Sequence, residues 1–245
     1  VGALVREYGG TRVLIVYGGK SAVRSGVLDR AENSLAEAGI SSWTLGGVVP
    51  NPHLDKVYEG ICIGKENSID FLLAVGGGSV IDTAKGVRMV ISQNTDDIES
   101  LMGCEVLTAG RHIPFLAVPT TAGTGSEVTP VAVISNPQKQ VKQEYLSAHL
   151  LPDAAILDLR MTMTLPPKVT ASTGIDALCH AIESFTCLQK NPMSDAYAAG
   201  AIPLIMRYLP IAAAHPGNKE ARMAMANASL MAGTSFGNSM VGLVH

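Results

Sequence analysis

Three short apolar runs, each closed by a turn rich in glycine or hydroxyl residues, constrain this 245-residue chain most. RVLIVY (12–17) is closed by Gly18 and Gly19, FLLAV (71–75) by Gly76, Gly77, Gly78 and Ser79, and IPFLAVP (113–119) by Thr120 and Thr121. Apolar character that is continuous rather than alternating reads as strands buried on both faces. Helical patterns lie between them. Residues 22–38 place Val23, Val27, Leu28, Ala31, Leu35 and Ala38 on one face, with Gly39 as the stop; 55–68 and the stretch from Gly78 to about Ser92 follow the same period. Further strands are predicted at SWTLGGVV (42–49), VAVIS (131–135) and AAILDL (154–159). Repeated strand–helix units of this kind predict an α/β domain with a mostly parallel sheet covered on both faces.

After Thr164, Leu165, Pro166 and Pro167 the strand signals stop. Residues 168–187, 193–214 and 218–245 are rich in Ala and Met at helical spacing, and Pro203 and Pro210 are expected to kink or divide the middle segment. The predicted organisation is an α/β domain over 1–164 and an all-helical domain over 165–245. A formal net charge of −3 without long runs of one sign argues against nucleic acid as a partner. No apolar run reaches the roughly 18 residues that span a bilayer, and no basic-then-apolar leader opens the chain. Cys62, Cys104, Cys179 and Cys187 form no CxxC pair, so a reduced, cytoplasmic protein is the expectation. The chain begins at Val1 and stops at His245 directly after an apolar stretch, and both ends read as cut.

The chemistry concentrates in four places. In GIDALCHAIES (174–184), Asp176 and His180 stand four positions apart and project from one helix face, flanked by Ala177, Leu178, Ala181 and Ile182, so that face is expected to point inward. A divalent cation would satisfy a buried carboxylate and imidazole; a helix-stabilising Asp–His pair is the plainer reading. GGGSVIDTAK (76–85) follows a strand and opens a helix, where free backbone N–H groups and the helix dipole suit an anion. It is neither GxGxxG nor a P-loop, and an ordinary turn remains the alternative. The turn Gly18, Gly19, Lys20, Ser21 carries no carboxylate to meet a ribose 2′-hydroxyl. PTTAGTGSEVTP (119–130) supplies hydroxyls from Thr120, Thr121, Thr124 and Ser126, with Gly123 and Gly125 allowing close approach.

Taken in order, GGGSVIDTAK, PTTAGTGSEVT, TLPP, GIDALCHAIES and the closing GLVH (242–245) resemble the iron-containing (group III) alcohol dehydrogenase family across essentially the whole chain, as the N-terminal two thirds or so of a member. The resemblance implies a dinucleotide-binding domain followed by a helical domain, with the site in the cleft between them. It implies a metal, Fe²⁺ or alternatively Zn²⁺, held by one Asp and three His: Asp176, His180 and His245 match the first three ligands, and the fourth histidine has no counterpart. His53, His112, His149 and His215 match no ligand position. On the cofactor side the resemblance implies Gly77, Gly78 and Ser79 at the pyrophosphate, with Asp82, Thr120, Thr121, Thr124, Asn51 and Lys142 at further cofactor positions. Gly19 stands where NAD-preferring members tend to carry Asp, and Lys20 and Ser21 could meet a 2′-phosphate, so NADP(H) is expected over NAD(H). The implied activity is hydride transfer between NAD(P)(H) and a primary alcohol or aldehyde, with no catalytic side chain beyond the metal ligands and a homodimeric full-length protein. A glycerol dehydrogenase-like or dehydroquinate synthase-like cousin, or a nucleotide-binding fragment without activity, are the competing readings.

Overall fold

Buried valine, leucine and isoleucine decide the first half of the molecule. In the computed structural model, residues 1–104, 110–242 and 245 are described, without the side chains of Lys20, Ser21 and Cys104. The chain divides into two units, one of Val1–Val118 with Pro130–Ala155, the other of Pro119–Thr129 with Ile156–His245.

The first unit opens with α1 (Gly2–Glu7) and β1 (Arg12–Tyr17), then α2 (Lys20–Arg24), α3 (Val27–Glu37), β2 (Ser41–Leu45), α4 (Leu54–Glu66), β3 (Phe71–Gly76) and α5 (Gly78–Gln93). Next come β4 (Gly103–Cys104), β5 (Phe115–Pro119), β6 (Val131–Asn136), β7 (Val141–Leu146) and β8 (Ala154–Ala155). Five strands form one sheet in the order β2-β1-β3-β5-β8, with parallel pairing of β1 to both β2 and β3 and of β5 to β8. Val13, Leu14, Ile15 and Val16 of β1 and Leu72, Leu73 and Ala74 of β3 have no exposure. Each such aliphatic side chain contributes about 1.5–3 kcal/mol on burial. Helix α5 lays Ile81, Ala84, Val87 and Val90 into the same core. Because β2 and β3 lie on opposite sides of β1, the chain reverses its direction of progress between β1 and β3.

A second, three-stranded sheet runs β4-β7-β6, with β6 and β7 antiparallel. VAVIS therefore belongs to this small sheet and not to the parallel one. The partner strand VKQEYL was not expected, because its exposed Lys142 and Glu144 hide the alternation that buries Gln143 and Tyr145. The helix expected over 22–38 is two helices, since Gly26 adopts φ 67° and starts α3 afresh. Within 154–159 two residues pair as strand, and Leu159 already opens the next helix.

The second unit is helical: α6 (Leu159–Thr162), α7 (Pro167–Thr186), α8 (Pro192–Ala214) and α9 (Lys219–Phe236). Helix α9 ends at Phe236, short of the expected run to 245. Asn191 caps α8 in a capping box with Ser194, and Asn218 caps α9. Pro203 and Pro210 both sit inside α8 without dividing it. At 23 residues α8 is long and apolar enough to cross a membrane by length and composition alone, although Asp195 and Arg207 interrupt its apolar run. Its stripe Ala198, Ala201, Ile205, Leu209 and Ala212 is buried in a core shared with Ala177, Ala181, Ala228 and Ala232. Small side chains at these facing positions let the helices approach closely.

Candidate functional site

Helix α7 brings Asp176 and His180 to one face, and Ala177 and Ala181 beside them are fully buried, as an inward face requires; Ile182, expected to share that face, is 45% exposed. His180 Nε2 stands 4.0 Å from Asp176 Oδ1, and His245 Nε2 stands 3.7 Å from the same oxygen. Donor atoms of these three residues all lie within 4.8 Å of one another, a spacing that one cation could bridge. His180 is stacked between two rings, Phe236 at 4.4 Å and His245 at 4.5 Å between centroids. It is 7% exposed, and its Nδ1 is buried without a hydrogen bond of good geometry among the described residues. Burial lowers the His180 pKa, against the opposing pull of Asp176 and a weaker one from the Gly123 backbone. Burial thereby favours the neutral ring, the form that has a lone pair to give. A half-buried carboxylate facing the Nε2 atoms of two stacked imidazoles, one of them buried, is a donor set that fits a first-row metal ion.

Glu183 was missed by the sequence reading. Its Oε1 lies 2.6 Å from His245 Nδ1 and its Oε2 accepts the Gly242 N–H at 2.8 Å. The signal was present: 176, 180 and 183 follow the i, i+4, i+7 spacing of a single helix face. Leu243 and Val244 of the GLVH segment lie outside the described residues.

The hydroxyl-rich loop belongs with this cluster in the second unit. Gly123 permits contact with α7, since a Cβ there would stand 2.7 Å from the Thr173 carbonyl oxygen; Gly125, at φ 62°, packs on Gly233 of α9. The close approach that these glycines allow is thus to helices. Thr120 and Thr121 are half-buried, and Thr124 Oγ1 accepts the Ser126 N–H at 3.3 Å.

The other predicted cofactor positions fall in the first unit. Gly77 is the N-cap of α5, at the C-terminal end of the central strand β3, and the N–H groups of Gly78 and Ser79 open the helix. Gly76 admits no side chain there, because a Cβ would stand 2.4 Å from Val80 Cγ2. Gly18 and Gly19 end the adjacent strand β1, where Tyr17 is in register with Val75. The two glycine turns therefore flank the point at which strand order reverses, the position where open α/β sheets bind ligands. A Cβ at Gly19 would meet nothing within 4 Å. The side chains of Lys20 and Ser21 lie outside the described residues. Asp82 Oδ2 accepts the Val133 N–H at 3.1 Å and so joins α5 to the small sheet. Asn51 takes a left-handed backbone, φ 55°. Its neighbour Pro52 accepts the Ser135 N–H, and Ser135 is the register partner of the exposed Lys142, so β6 stands between the Asn51 segment and Lys142.

Comparison with known proteins shows the family. Residues 1–159 match the family described as iron-containing alcohol dehydrogenase, and residues 170–245 match the C-terminal part of the Fe-containing alcohol dehydrogenase family. The chain is 39% identical to a 1,3-propanediol dehydrogenase of Citrobacter freundii, over 100% of this chain and 63% of that protein. It is 36% identical to an NADPH-dependent butanol dehydrogenase of Clostridium saccharobutylicum, over 96% of this chain and 61% of that one. An NAD-dependent methanol dehydrogenase of Bacillus methanolicus is also 36% identical, over 100% and 64%. Among solved structures, a 1,3-propanediol oxidoreductase superposes with a TM-score of 0.95 at 39% identity, covering 100% of this chain and 63% of the other. The alcohol dehydrogenase from Oenococcus oeni gives 0.94 at 34% identity, with the same coverage. The chain thus spans less than two thirds of the length of these relatives.

Proposed function

Because the chain belongs to the iron-containing alcohol dehydrogenase family, we propose that the whole protein is a metal-dependent oxidoreductase moving a hydride between a nicotinamide cofactor and a primary alcohol or aldehyde. The observation that carries this reading is the convergence of Asp176, His180 and His245 donor atoms within 4.8 Å of one another, with the Nε2 atoms of both imidazoles turned to Asp176 Oδ1. These three residues would hold the ion, Fe²⁺ or alternatively Zn²⁺. When bound, such an ion supplies Lewis-acid polarisation of the substrate oxygen. Asp176 offsets its charge, and the two stacked imidazoles set the direction of approach. No side chain of this sequence is assigned as a general base.

The cofactor would lie on the glycine turns at the strand-order reversal. Gly77, Gly78 and Ser79 offer backbone N–H groups to the pyrophosphate at the start of α5. Thr120, Thr121 and Thr124, with Asn51 and Lys142, are the remaining assigned contacts. The preference proposed is for NADP(H). The turn after β1 has glycine and no carboxylate beside the ribose, and one relative at 36% identity is described as NADPH-dependent; another at the same identity is described as NAD-dependent. A homodimer is proposed for the whole protein.

The test is His180→Ala in the whole protein. Loss of bound metal and of cofactor-dependent turnover, with the melting transition retained in chelator, is the expected result. A metal-free variant that still turns over alcohol refutes the assignment.

A further inference from the structure

Glu183 is a buried carboxylate, 8% exposed, to which the proposed reaction gives no role. A carboxylate in such surroundings needs hydrogen-bond donors, and its two oxygens meet Gly242 and His245. Oε2 takes the Gly242 N–H and Oε1 lies against His245 Nδ1. A carboxylate accepts and does not donate, so the proton of the His245 ring sits on Nδ1. That tautomer leaves the lone pair on Nε2, the nitrogen that faces Asp176 Oδ1 at 3.7 Å. The stack on His180 fixes the plane of the ring, and the bond to Glu183 fixes its rotation within that plane.

The geometry points to Glu183 as a positioning residue that selects the tautomer of His245 and aims its Nε2 at the metal position. The inference rests on the metal reading given above. A clamp serving chain packing alone would be met by the Gly242 bond; the second oxygen on an imidazole nitrogen does something a clamp does not require. Carboxylates that receive the outer N–H of a ligating histidine raise its basicity and hold its orientation.

The test uses the whole protein loaded with cobalt(II), whose visible bands report the ligands, with affinity read by competition dialysis. Wild type is expected to bind, and Glu183→Ala to bind about 10–100-fold more weakly with altered bands. Glu183→Gln offers one acceptor oxygen in place of two and is expected to fall between them. Variants that bind as tightly as wild type with unchanged bands overturn the positioning role while leaving the metal reading intact. A wild type that takes up no cobalt overturns both. A second measurement needs no variant: ¹⁵N NMR of the zinc-loaded wild type is expected to show His245 protonated and hydrogen-bonded at Nδ1 with zinc on Nε2. Zinc on Nδ1 overturns the inference.

Discussion

Gly125 and Gly233 pack backbone against backbone: a Cβ on Gly233 would stand 2.8 Å from the Gly125 Cα, and one on Gly125 would stand 2.5 Å from the Gly233 Cα. This contact seats the hydroxyl-rich loop on α9 and so fixes Gly123, whose backbone lies beside His180. Neither partner can retreat cheaply, because the atoms in conflict are main chain. Gly233→Ala is expected to destabilise the protein by about 1–3 kcal/mol through overpacking. Gly125→Ala carries the added strain of a left-handed backbone at φ 62° and is expected to be worse. Urea unfolding midpoints of the two variants check the order.

His180 is buried against the Phe236 ring, and its Nδ1 makes no hydrogen bond of good geometry among the described residues, which sets function against stability. A buried polar atom without a partner costs about 1–3 kcal/mol, and an apolar residue of similar volume removes that penalty. His180→Leu is therefore expected to leave the metal-free protein no less stable than wild type, though it forfeits the ring stack. The same variant is expected to lose metal retention. Thermal melts in chelator and metal analysis after dialysis read the two effects separately, and a marked drop in metal-free stability would count against the site being built for a ligand.

What was legible in the sequence was what local pattern encodes. β1 was read to the residue, because an uninterrupted apolar run closed by two glycines has few alternatives. The Asp176–His180 pair was readable because helix periodicity alone puts both on one face. The association of His245 with them was not readable from spacing, since it depends on how the segment after α9 returns to α7. The partners of Gly123 and Gly125 were not readable for the same reason: a glycine says that something approaches closely, and the sequence does not say whether it is a ligand or a helix. VKQEYL was missed because a strand on a small sheet exposes half its residues and looks like a charged loop.

Gly19 is the position at which the proposed cofactor preference can be reversed. Its neighbourhood is open, with nothing within 4 Å of a built Cβ, and no left-handed backbone forbids a side chain. Gly19→Asp would introduce a carboxylate able to accept from a ribose 2′-hydroxyl and to repel a 2′-phosphate. Binding of NADPH is expected to weaken about tenfold, equivalent to about 1.4 kcal/mol, while NADH binding is unchanged or improved. Fluorescence titration with both reduced cofactors checks this, and an unaltered NADPH affinity would move the 2′-phosphate away from this turn.

Arg222 ties the segments of the second unit through hydrogen bonds to uncharged acceptors. It is 2% exposed, and its guanidinium donates to the Pro216 carbonyl at 3.0 Å, Thr170 Oγ1 at 2.7 Å and the Leu165 carbonyl at 3.2 Å. Those acceptors sit on the α8–α9 connection, on α7 and just before it, so one planar fork ties three segments. Burial lowers its pKa, and among the described residues no carboxylate forms an ion pair with it. Arginine tolerates this because it stays charged and reaches in several directions at once; an ammonium does neither. Arg222→Lys is expected to destabilise by about 3 kcal/mol at neutral pH, through unpaired buried acceptors and a point charge in an apolar site. The pH dependence carries the sign. A lysine whose folded pKa is depressed by burial binds fewer protons folded than unfolded, so the variant should gain stability as pH rises from that depressed value toward about 10.4. Wild type has no such gain available from Arg222. Unfolding midpoints of the two proteins from pH 6 to pH 10 are therefore expected to converge as pH rises, and a constant gap would show that lost hydrogen bonds, not the buried charge, account for the penalty.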